Sequence, residues 1–367
     1  MVTIYGGFIM KRFLALGLAL LFLGSALFAE DAKVMPMRMG RFYLAPSFAF
    51  GQKAFNDSGT RVDSNAMKAL NLGAAIEFGA YHWITAAVQW APGFNVWSDV
   101  DTVIPLSETP LILSDSSVRV LDKGDIIIGA KMQILGNAGP LKSERFRLAL
   151  GPGLKVPLPG PDYEKQLTNA INGDPVTPAN MDYHVFGFGL RSYFDFIINE
   201  YFFINLYNEF LYYPQKKDLG KAGFGEYATL AGVNTAFTGA ASVDGEVSYG
   251  YDLTFELEPA FSKMVVPGKI ILNAGLPITY KTTPGAKYSF SASGTAPYTD
   301  AALAAIAAAL PDEEQQHSLT MKPGASAFFV GWPVPFEFKL SYFAPIWGQN
   351  VSANHTLSLQ IRMYFKI

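Results

Sequence analysis

Hydrophobic and polar side chains alternate without a break over the last twelve residues of the chain, 356–367. The apolar positions are Leu357, Leu359, Ile361, Met363, Phe365 and Ile367, and the polar positions are Ser358, Gln360, Arg362, Tyr364 and Lys366. Because successive side chains of a strand point to opposite faces, this stretch predicts a strand with one apolar face. That face suits either the core of a soluble sheet or the lipid around a transmembrane barrel.

The same alternation recurs along the whole chain and predicts twelve strands. By residue number they are 42–50, 70–78, 83–90, 125–135, 146–156, 183–196, 202–212, 249–259, 269–280, 318–329, 336–343 and 356–367. The connections after the even-numbered strands are short, and those after the odd-numbered strands are longer. A Greek-key sandwich has no reason to keep such an order, whereas an up-and-down barrel with short periplasmic turns and long external loops requires it.

The sequence therefore predicts an all-β fold, a transmembrane up-and-down antiparallel β-barrel over residues 41–367. Both termini then lie on the periplasmic side. Twelve strands are the minimum, because the long loops 94–123 and 214–246 have room for a further hairpin, which would raise the number to fourteen.

The front of the chain has the order of a secretory signal peptide. Lys11 and Arg12 precede the apolar run 13–23, and small residues follow up to Ala29. We read Met10 as the start, residues 1–29 as the signal peptide and 30–40 as a short lead. The apolar run is short for a membrane-spanning anchor. Export through this signal predicts a location in the bacterial outer membrane.

Composition supports a lipid-facing surface. Hydrophobic residues make up 50% of the chain and charged residues 16%, below the ~25% usual for soluble domains. The net charge of −3 argues against a nucleic-acid partner, which would require clustered positive charge. The predicted partner is the lipid bilayer. The terminal strand also resembles the assembly signal of outer-membrane barrels, which implies the barrel-assembly machinery as a second partner.

The polar positions of the strands carry seven charges of each sign, and their polar parity predicts that they face the lumen. The candidate lumen-lining residues are Lys131, Arg147, Lys155, Arg191, Asp195, Glu209, Asp252, Glu256, Lys339 and Arg362. They form either a polar conduit or a paired network that fills a narrow barrel, and their balance argues against strong ion selectivity. The acids on 249–259 need partners, and Arg191 is the cation we expect to reach them.

A short apolar helix is predicted at 301–310, after the N-cap candidates Thr299 and Asp300. It lies in the loop before strand 318–329 and is apolar on all sides, so it must be buried or contact lipid. Leu303, Ile306 and Leu310 are the candidate external hydrophobic lid; simple packing over the lumen is the alternative.

Catalytic and metal-binding patterns are absent from the sequence. The four histidines are scattered without metal-ligand spacing, and the chain has neither a Gly-x-Ser-x-Gly elbow nor a Walker loop. There is no cysteine, which excludes disulfides and thiol chemistry. We predict no enzyme activity, no metal and no cofactor.

Three stretches, FGAYHWI at 78–84, LALGPGLKVP at 148–157 and FINLYNEF at 203–210, loosely resemble the FadL-like long-chain fatty-acid transporters of the outer membrane. The resemblance implies passive diffusion of hydrophobic small molecules, long-chain fatty acids among them, with capture at external loops and a lateral exit. Two features depart from that family: the lead 30–40 is too short for its N-terminal hatch, and Asn-Pro-Ala is missing. A general porin for hydrophilic solutes and a non-conducting barrel that binds a surface partner remain alternatives.

Overall fold

The computed structural model describes residues 31–100, 102–106, 109–113, 123–160, 182–223, 241–294, 299–300, 303 and 312–366. The first ten strands are β1 Met39–Phe55, β2 Arg61–Tyr81, β3 Ile84–Val100, β4 Thr102–Leu106, β5 Thr109–Leu113, β6 Ile126–Leu135, β7 Phe146–Val156, β8 Gly187–Ile197, β9 Phe202–Tyr213 and β10 Lys217–Gly223. The others are β11 Ala241–Ser248, β12 Gly250–Val266, β13 Ile270–Gly275, β14 Ile278–Thr283, β15 Lys287–Gly294, β16 Gln316–Met321, β17 Gly324–Phe329, β18 Phe336–Gln349, β19 Val351–Ser352 and β20 His355–Lys366.

A closed antiparallel barrel of twelve strands confirms the predicted fold class. Its strands are, in order around the wall, β1, β2, β3, β6, β7, β8, β9, β12, β13 continued by β14, β16 continued by β17, β18 and β20. The terminal strand closes the ring because β20 pairs with β18 on one side and with β1 on the other. Within the described residues, no helix is long and apolar enough to cross a membrane.

The two loops that could have added strands leave the barrel at twelve. β4 pairs only with β5, and β10, β11 and β15 form a separate three-stranded sheet. Both small sheets belong to the loops at the end of the barrel opposite the chain termini. Fourteen barrel strands are therefore excluded for the part of the chain that the structure describes.

One predicted long connection is short. β1 and β2 run well past their predicted ends, so only residues 56–60 join them. The side chain of Asn56 accepts hydrogen bonds from the backbone N–H of Ser58 at 3.2 Å and of Thr60 at 2.8 Å. Gly59 has a positive φ of 76°, which glycine adopts without strain. This local turn chemistry closes a hairpin where the pattern alone indicated a loop.

The outer face of the barrel is apolar and the inner face is polar, the reverse of a soluble domain. Large exposed apolar side chains that point outward include Ile76, Val88, Ile128, Leu154, Phe188, Leu206, Phe255, Leu272, Leu340 and Leu359. Their strand neighbours are buried and polar, among them Glu77, Gln89, Asn205, Glu256 and Gln360. Two polar side chains on the outer face form a hydrogen bond with each other, in which Asn208 Nδ2 donates to Ser192 Oγ at 3.1 Å. Such a surface is suited to hydrocarbon.

Exposed aromatic side chains gather near both ends of the apolar belt. Near the short turns they are Tyr81, Tyr201, Phe202 and Trp332, and near the long loops they are Phe50, Tyr212, Tyr251 and Trp347. Aromatic girdles at both membrane–water interfaces are typical of transmembrane barrels. The fold and its surface together identify a membrane-spanning barrel of the outer-membrane type.

Prolines explain why two predicted strands are each split in two. Pro277 separates β13 from β14, and Pro323 separates β16 from β17. Pro259 accepts from Leu276 N at 3.1 Å, Pro277 accepts from Lys322 N at 2.8 Å and Pro323 accepts from Tyr342 N at 3.0 Å. None of these prolines can donate in return, so the ladder is interrupted along one row of adjacent strands.

Candidate functional site

The short N-terminal lead lies inside the lumen at the periplasmic end. Ala32 is fully buried, and its backbone N–H donates to Asp195 Oδ1 at 2.9 Å. The N–H of Met35 donates to Thr85 Oγ1 at 2.7 Å. Side chains of the wall thus bind the backbone of the lead. The extended lead needs such partners because it has no strand neighbour of its own.

Two further wall residues donate hydrogen bonds to backbone carbonyl groups of the same segment. Lys131 Nζ donates to the carbonyl of Asp31 at 3.0 Å, and Gln133 Nε2 donates to the carbonyl of Ala32 at 2.8 Å. Gly79 also makes room, because a Cβ built there would lie 2.1 Å from the carbonyl oxygen of Pro36. We call residues 31–38 the lumen segment. The sequence showed it only as a lead of eleven residues, 30–40.

Ion pairs line the barrel around the lumen segment. Arg41 contacts Glu77 at 2.6 Å, Arg147 contacts Asp195 at 3.3 Å and Arg362 contacts Glu337 at 3.0 Å. The Arg362 and Glu337 side chains are each only 6% exposed. Pairs this deeply buried are costly to break on one side.

In the middle of the lumen, charged side chains form ion pairs with partners on nearby strands of the wall. Arg191 on β8 bonds Glu209 on β9 through Nε, and its Nη1 donates to Gln89 at 2.7 Å. Glu256 on β12 accepts from Lys322 Nζ at 2.7 Å. The expectation that Arg191 would reach the acids of β12 is wrong, since Glu209 on the adjacent strand is nearer.

The external end holds a second buried cluster. Lys155 Nζ contacts Asp182 directly and lies 3.6 Å from Asp125. Asp252 accepts from Lys281 Nζ and from Tyr213 OH, both at 3.1 Å. Of these groups, Asp125, Asp182 and Lys281 were missing from the sequence prediction. Asp182 and Lys281 lie just outside the predicted strands 183–196 and 269–280, where no alternation was assigned, whereas Asp125 begins the predicted strand 125–135.

A stretch before β8, residues 182–186, turns into the lumen and lies across this cluster. Tyr183 stacks on Tyr249 with ring centroids 4.1 Å apart. His184, with a positive φ of 54°, holds Asp125 through Nδ1 at 3.1 Å. The predicted strand 183–196 therefore begins four residues late, at Gly187, because Tyr183 to Phe186 form this inward bend.

All ten predicted lumen residues lie on the inner wall in the structure. Nine of them contact another polar group directly, and Lys339 alone has no hydrogen bond or ion pair with a described residue. Of the three lid residues, Leu303 has helical backbone and is half-buried. Ile306 and Leu310 lie outside the described residues.

Glycines on the lumen side of β7 and β8 make room for large neighbours. A Cβ built on Gly151 would lie 3.3 Å from the Tyr193 ring, and one on Gly187 would lie 3.2 Å from the Tyr213 ring. Gly189 is tighter still, with the Leu211 side chain at 2.8 Å. These glycines therefore give the large side chains of neighbouring strands the space that a Cβ would fill.

A cavity of about 350 Å³ opens beside the lumen segment at the periplasmic end. Its wall combines apolar and charged side chains from β9, β12, β13, β17, β18 and β20. The lumen-facing apolar side is formed by Phe203, Ile271 and Phe328, and the charged side includes Glu258, Lys339 and Arg362. This space combines apolar and charged walls, and it is our candidate binding site.

A carboxyl group in the external loop before β16 titrates close to neutral pH. Burial raises the pKa of Glu313 to about 7, although a hydrogen bond from Ala286 N, at 3.2 Å, acts in the opposite direction. A carboxyl whose folded pKa is raised favours the folded loop when protonated. Its contribution is complete below about pH 4.5 and is lost as the pH rises through about 7.

We therefore expect the loop around Glu313 to loosen between pH 5 and 8. Amide hydrogen exchange at Ala286 and Glu313, corrected for the intrinsic pH dependence, measures this opening. Glu313→Gln keeps the shape of the protonated side chain and should abolish the dependence. An equal pH response in the variant would rule out Glu313 as its source.

No protein-family model matches this chain, and no curated protein matches it. Solved structures do. An outer-membrane channel from Pseudomonas putida F1 superposes with a TM-score of 0.59 at 11% identity, over 92% of this chain and 100% of that one. The likeness is one of fold, and it agrees with the membrane-spanning barrel described above.

Two other barrels match less well. A FadL homologue from Pseudomonas aeruginosa has a TM-score of 0.34 at 9% identity and covers 96% of this chain and 98% of its own. The β domain of the Bordetella autotransporter BrkA has a TM-score of 0.39 at 9% identity, over 89% of this chain and 100% of its own.

Proposed function

We propose that this barrel is an outer-membrane channel for the passive uptake of hydrophobic small molecules, long-chain fatty acids among them. The observation that carries the proposal is the cavity of about 350 Å³, in which an apolar wall faces a charged one. A molecule with an apolar body and a polar head finds both surfaces there, which is the usual composition of a ligand pocket.

A general porin for hydrophilic solutes is the main alternative. A porin needs an open, water-filled lumen. Here the lumen segment occupies the periplasmic end and residues 182–186 occupy the external end. Charges across the lumen are largely paired, which disfavours a strongly selective ion pathway. The geometry therefore supports a substrate-sized path rather than a wide pore.

The lumen segment makes a direct test of channel function possible. We expect deletion of residues 31–37 to raise single-channel conductance in planar bilayers several-fold, because it removes the backbone that Asp195, Thr85, Lys131 and Gln133 bind. Lys33→Ala is the matched control, since the Lys33 side chain is 53% exposed and its loss leaves the backbone of the lumen segment in place. A deletion variant as silent as the intact chain would argue against a channel.

Uptake of long-chain fatty acid into proteoliposomes separates the alternatives. Uptake with low ionic conductance supports the hydrophobic channel, and conductance without uptake supports the porin. The absence of both uptake and conductance, before and after deletion of 31–37, supports the surface-binding barrel. Heat-modifiable electrophoretic mobility shows in each case that the barrel has folded.

The proposal includes export by the segment 1–29, which lies outside the described residues. Cleavage after Ala29 would leave a chain end two residues before Ala32, which is buried in the lumen. N-terminal sequencing of the protein from isolated outer membranes tests this, and a start well before Glu30 would contradict it.

A further inference from the structure

Two opposite charges face the periplasmic cavity without an ion-pair partner. Glu258 on β12 accepts one hydrogen bond, from Asn205 Nδ2 at 2.7 Å. Lys339 on β18 makes none with the residues that the structure describes, and both side chains line the same cavity and are partly exposed. The other charged side chains that line this cavity form ion pairs, so the Glu258 carboxylate and the Lys339 ammonium are the charges that a ligand can reach there.

The other charged side chains of the cavity are already neutralised. Lys33 contacts Asp31 at 3.4 Å, Arg41 contacts Glu77 and Arg362 contacts Glu337. The cavity as a whole therefore carries no net charge. A ligand with a single charge would leave either Glu258 or Lys339 desolvated and unmatched, which is unfavourable.

Two glycines lie on the strands between Glu258 and Lys339. Gly275 and Gly324 lie opposite each other on β13 and β17 and belong to the cavity lining. A Cβ built on Gly275 would lie 2.1 Å from Oε1 of Glu258, so the carboxylate lies directly over the glycine. A Cβ on Gly324 would lie 2.8 Å from Ser341 Oγ. The two glycines thus make room at the cavity wall for the Glu258 carboxylate and the Ser341 hydroxyl.

The two charges reach the cavity from different places on its wall. β12 and β18 are three strand spacings of ~4.8 Å apart, and the ladder places Lys339 level with Ser262, four residues along the strand from Glu258. Both side chains extend into the same space, yet they form no ion pair with each other. An interposed molecule that offers an ammonium to Glu258 and a carboxylate to Lys339 satisfies both.

We propose that this cavity binds a small zwitterion, an ammonium and a carboxylate on a short spacer with an apolar substituent. The ammonium donates to Glu258, the carboxylate accepts from Lys339, and the substituent packs against Phe203, Ile271 and Phe328. The inference rests on the proposed function and ranks its hydrophobic substrates: a zwitterionic amphiphile satisfies both charges, whereas a fatty acid satisfies Lys339 alone and binds more weakly. Binding itself does not depend on conduction.

Three probes with the same aromatic ring test the assignment: L-phenylalanine, phenethylamine, which lacks the carboxylate, and 3-phenylpropanoate, which lacks the ammonium. Calorimetry on the detergent-solubilised barrel measures each affinity. We expect L-phenylalanine to bind about tenfold or more tightly than either analogue, the scale of a charged hydrogen bond.

Matched variants assign each charge. Glu258→Gln should remove the preference over 3-phenylpropanoate, and Lys339→Met should remove the preference over phenethylamine. Lys142→Met, on an exposed periplasmic turn, serves as the control that changes nothing. Equal weak binding of all probes, or preferences that survive both variants, would overturn the zwitterion site. That would suggest that water bridges Glu258 and Lys339.

The two proposals can fail separately. Conductance after deletion of 31–37 without probe discrimination rejects the zwitterion site alone. Probe discrimination in a barrel that never conducts rejects the channel alone.

Discussion

Val88→Arg is expected to destabilise the folded barrel by about 2–4 kcal/mol, the cost of placing a guanidinium against the middle of the bilayer. Val88 points outward from β3 and is 40% exposed. Its side chain contacts hydrocarbon if the apolar face of the barrel spans the membrane. Unfolding by denaturant in lipid vesicles gives the free-energy difference directly.

The adjacent residue supplies the control. Ala87 faces the lumen on the same strand, directly opposite Glu77. Ala87→Arg introduces the same charge at the same height, where a carboxylate and water can receive it. It should cost much less than Val88→Arg. Equal costs for the two variants, or a stable Val88→Arg barrel, would mean that the outward face does not contact lipid.

Arg362→Met is expected to cost about 3–5 kcal/mol, because it leaves the Glu337 carboxylate buried without its partner. Arg362 Nη1 lies 3.0 Å from Glu337 Oε2, and both side chains are 6% exposed. Ser326 and Asn273 also bond Glu337, but neither carries a charge. The same vesicle unfolding experiment measures the loss.

Two variants show whether the loss comes from the orphaned charge. Adding Glu337→Gln to Arg362→Met should recover much of the stability, since the buried carboxylate is gone. Lys53→Met breaks a pair with Asp63 whose side chains are 54% and 90% exposed; its loss should leave the unfolding free energy nearly unchanged, because solvent screens an exposed pair. No recovery in the double variant would place the effect in packing rather than in charge.

The same physics limits what the pattern could predict at other positions. The space beside Gly151 and Gly187 was readable as room for large neighbours, because glycine in a strand implies close approach. Large neighbours such as Tyr193 and Tyr207 were the expectation; Tyr193 does lie beside Gly151, while the ring beside Gly187 is that of Tyr213. The residues next to Glu313 in the sequence likewise do not indicate that its pKa is raised. Its raised pKa arises from burial among loop residues distant in sequence.

The sequence by itself determined the strands, their faces and their order. Period-two alternation assigns every second side chain to lipid. The polar parity of each strand then assigns Lys131, Arg147 and Arg362 to the inner wall. The number of strands was bounded between twelve and fourteen, and the structure decided it at twelve because the strands of the two long loops pair outside the wall.

Only the tertiary structure decided which charges meet and what fills the lumen. Parity assigns a side chain to a face but does not set the height of its strand relative to its neighbours, so it could not pair Glu256 with Lys322 or Arg191 with Glu209. Residues 31–38 and 182–186 have no periodicity that places them inside the barrel. Their positions depend on hydrogen bonds such as that of Ala32 with Asp195, whose partners are 163 residues apart and meet only once the wall has closed.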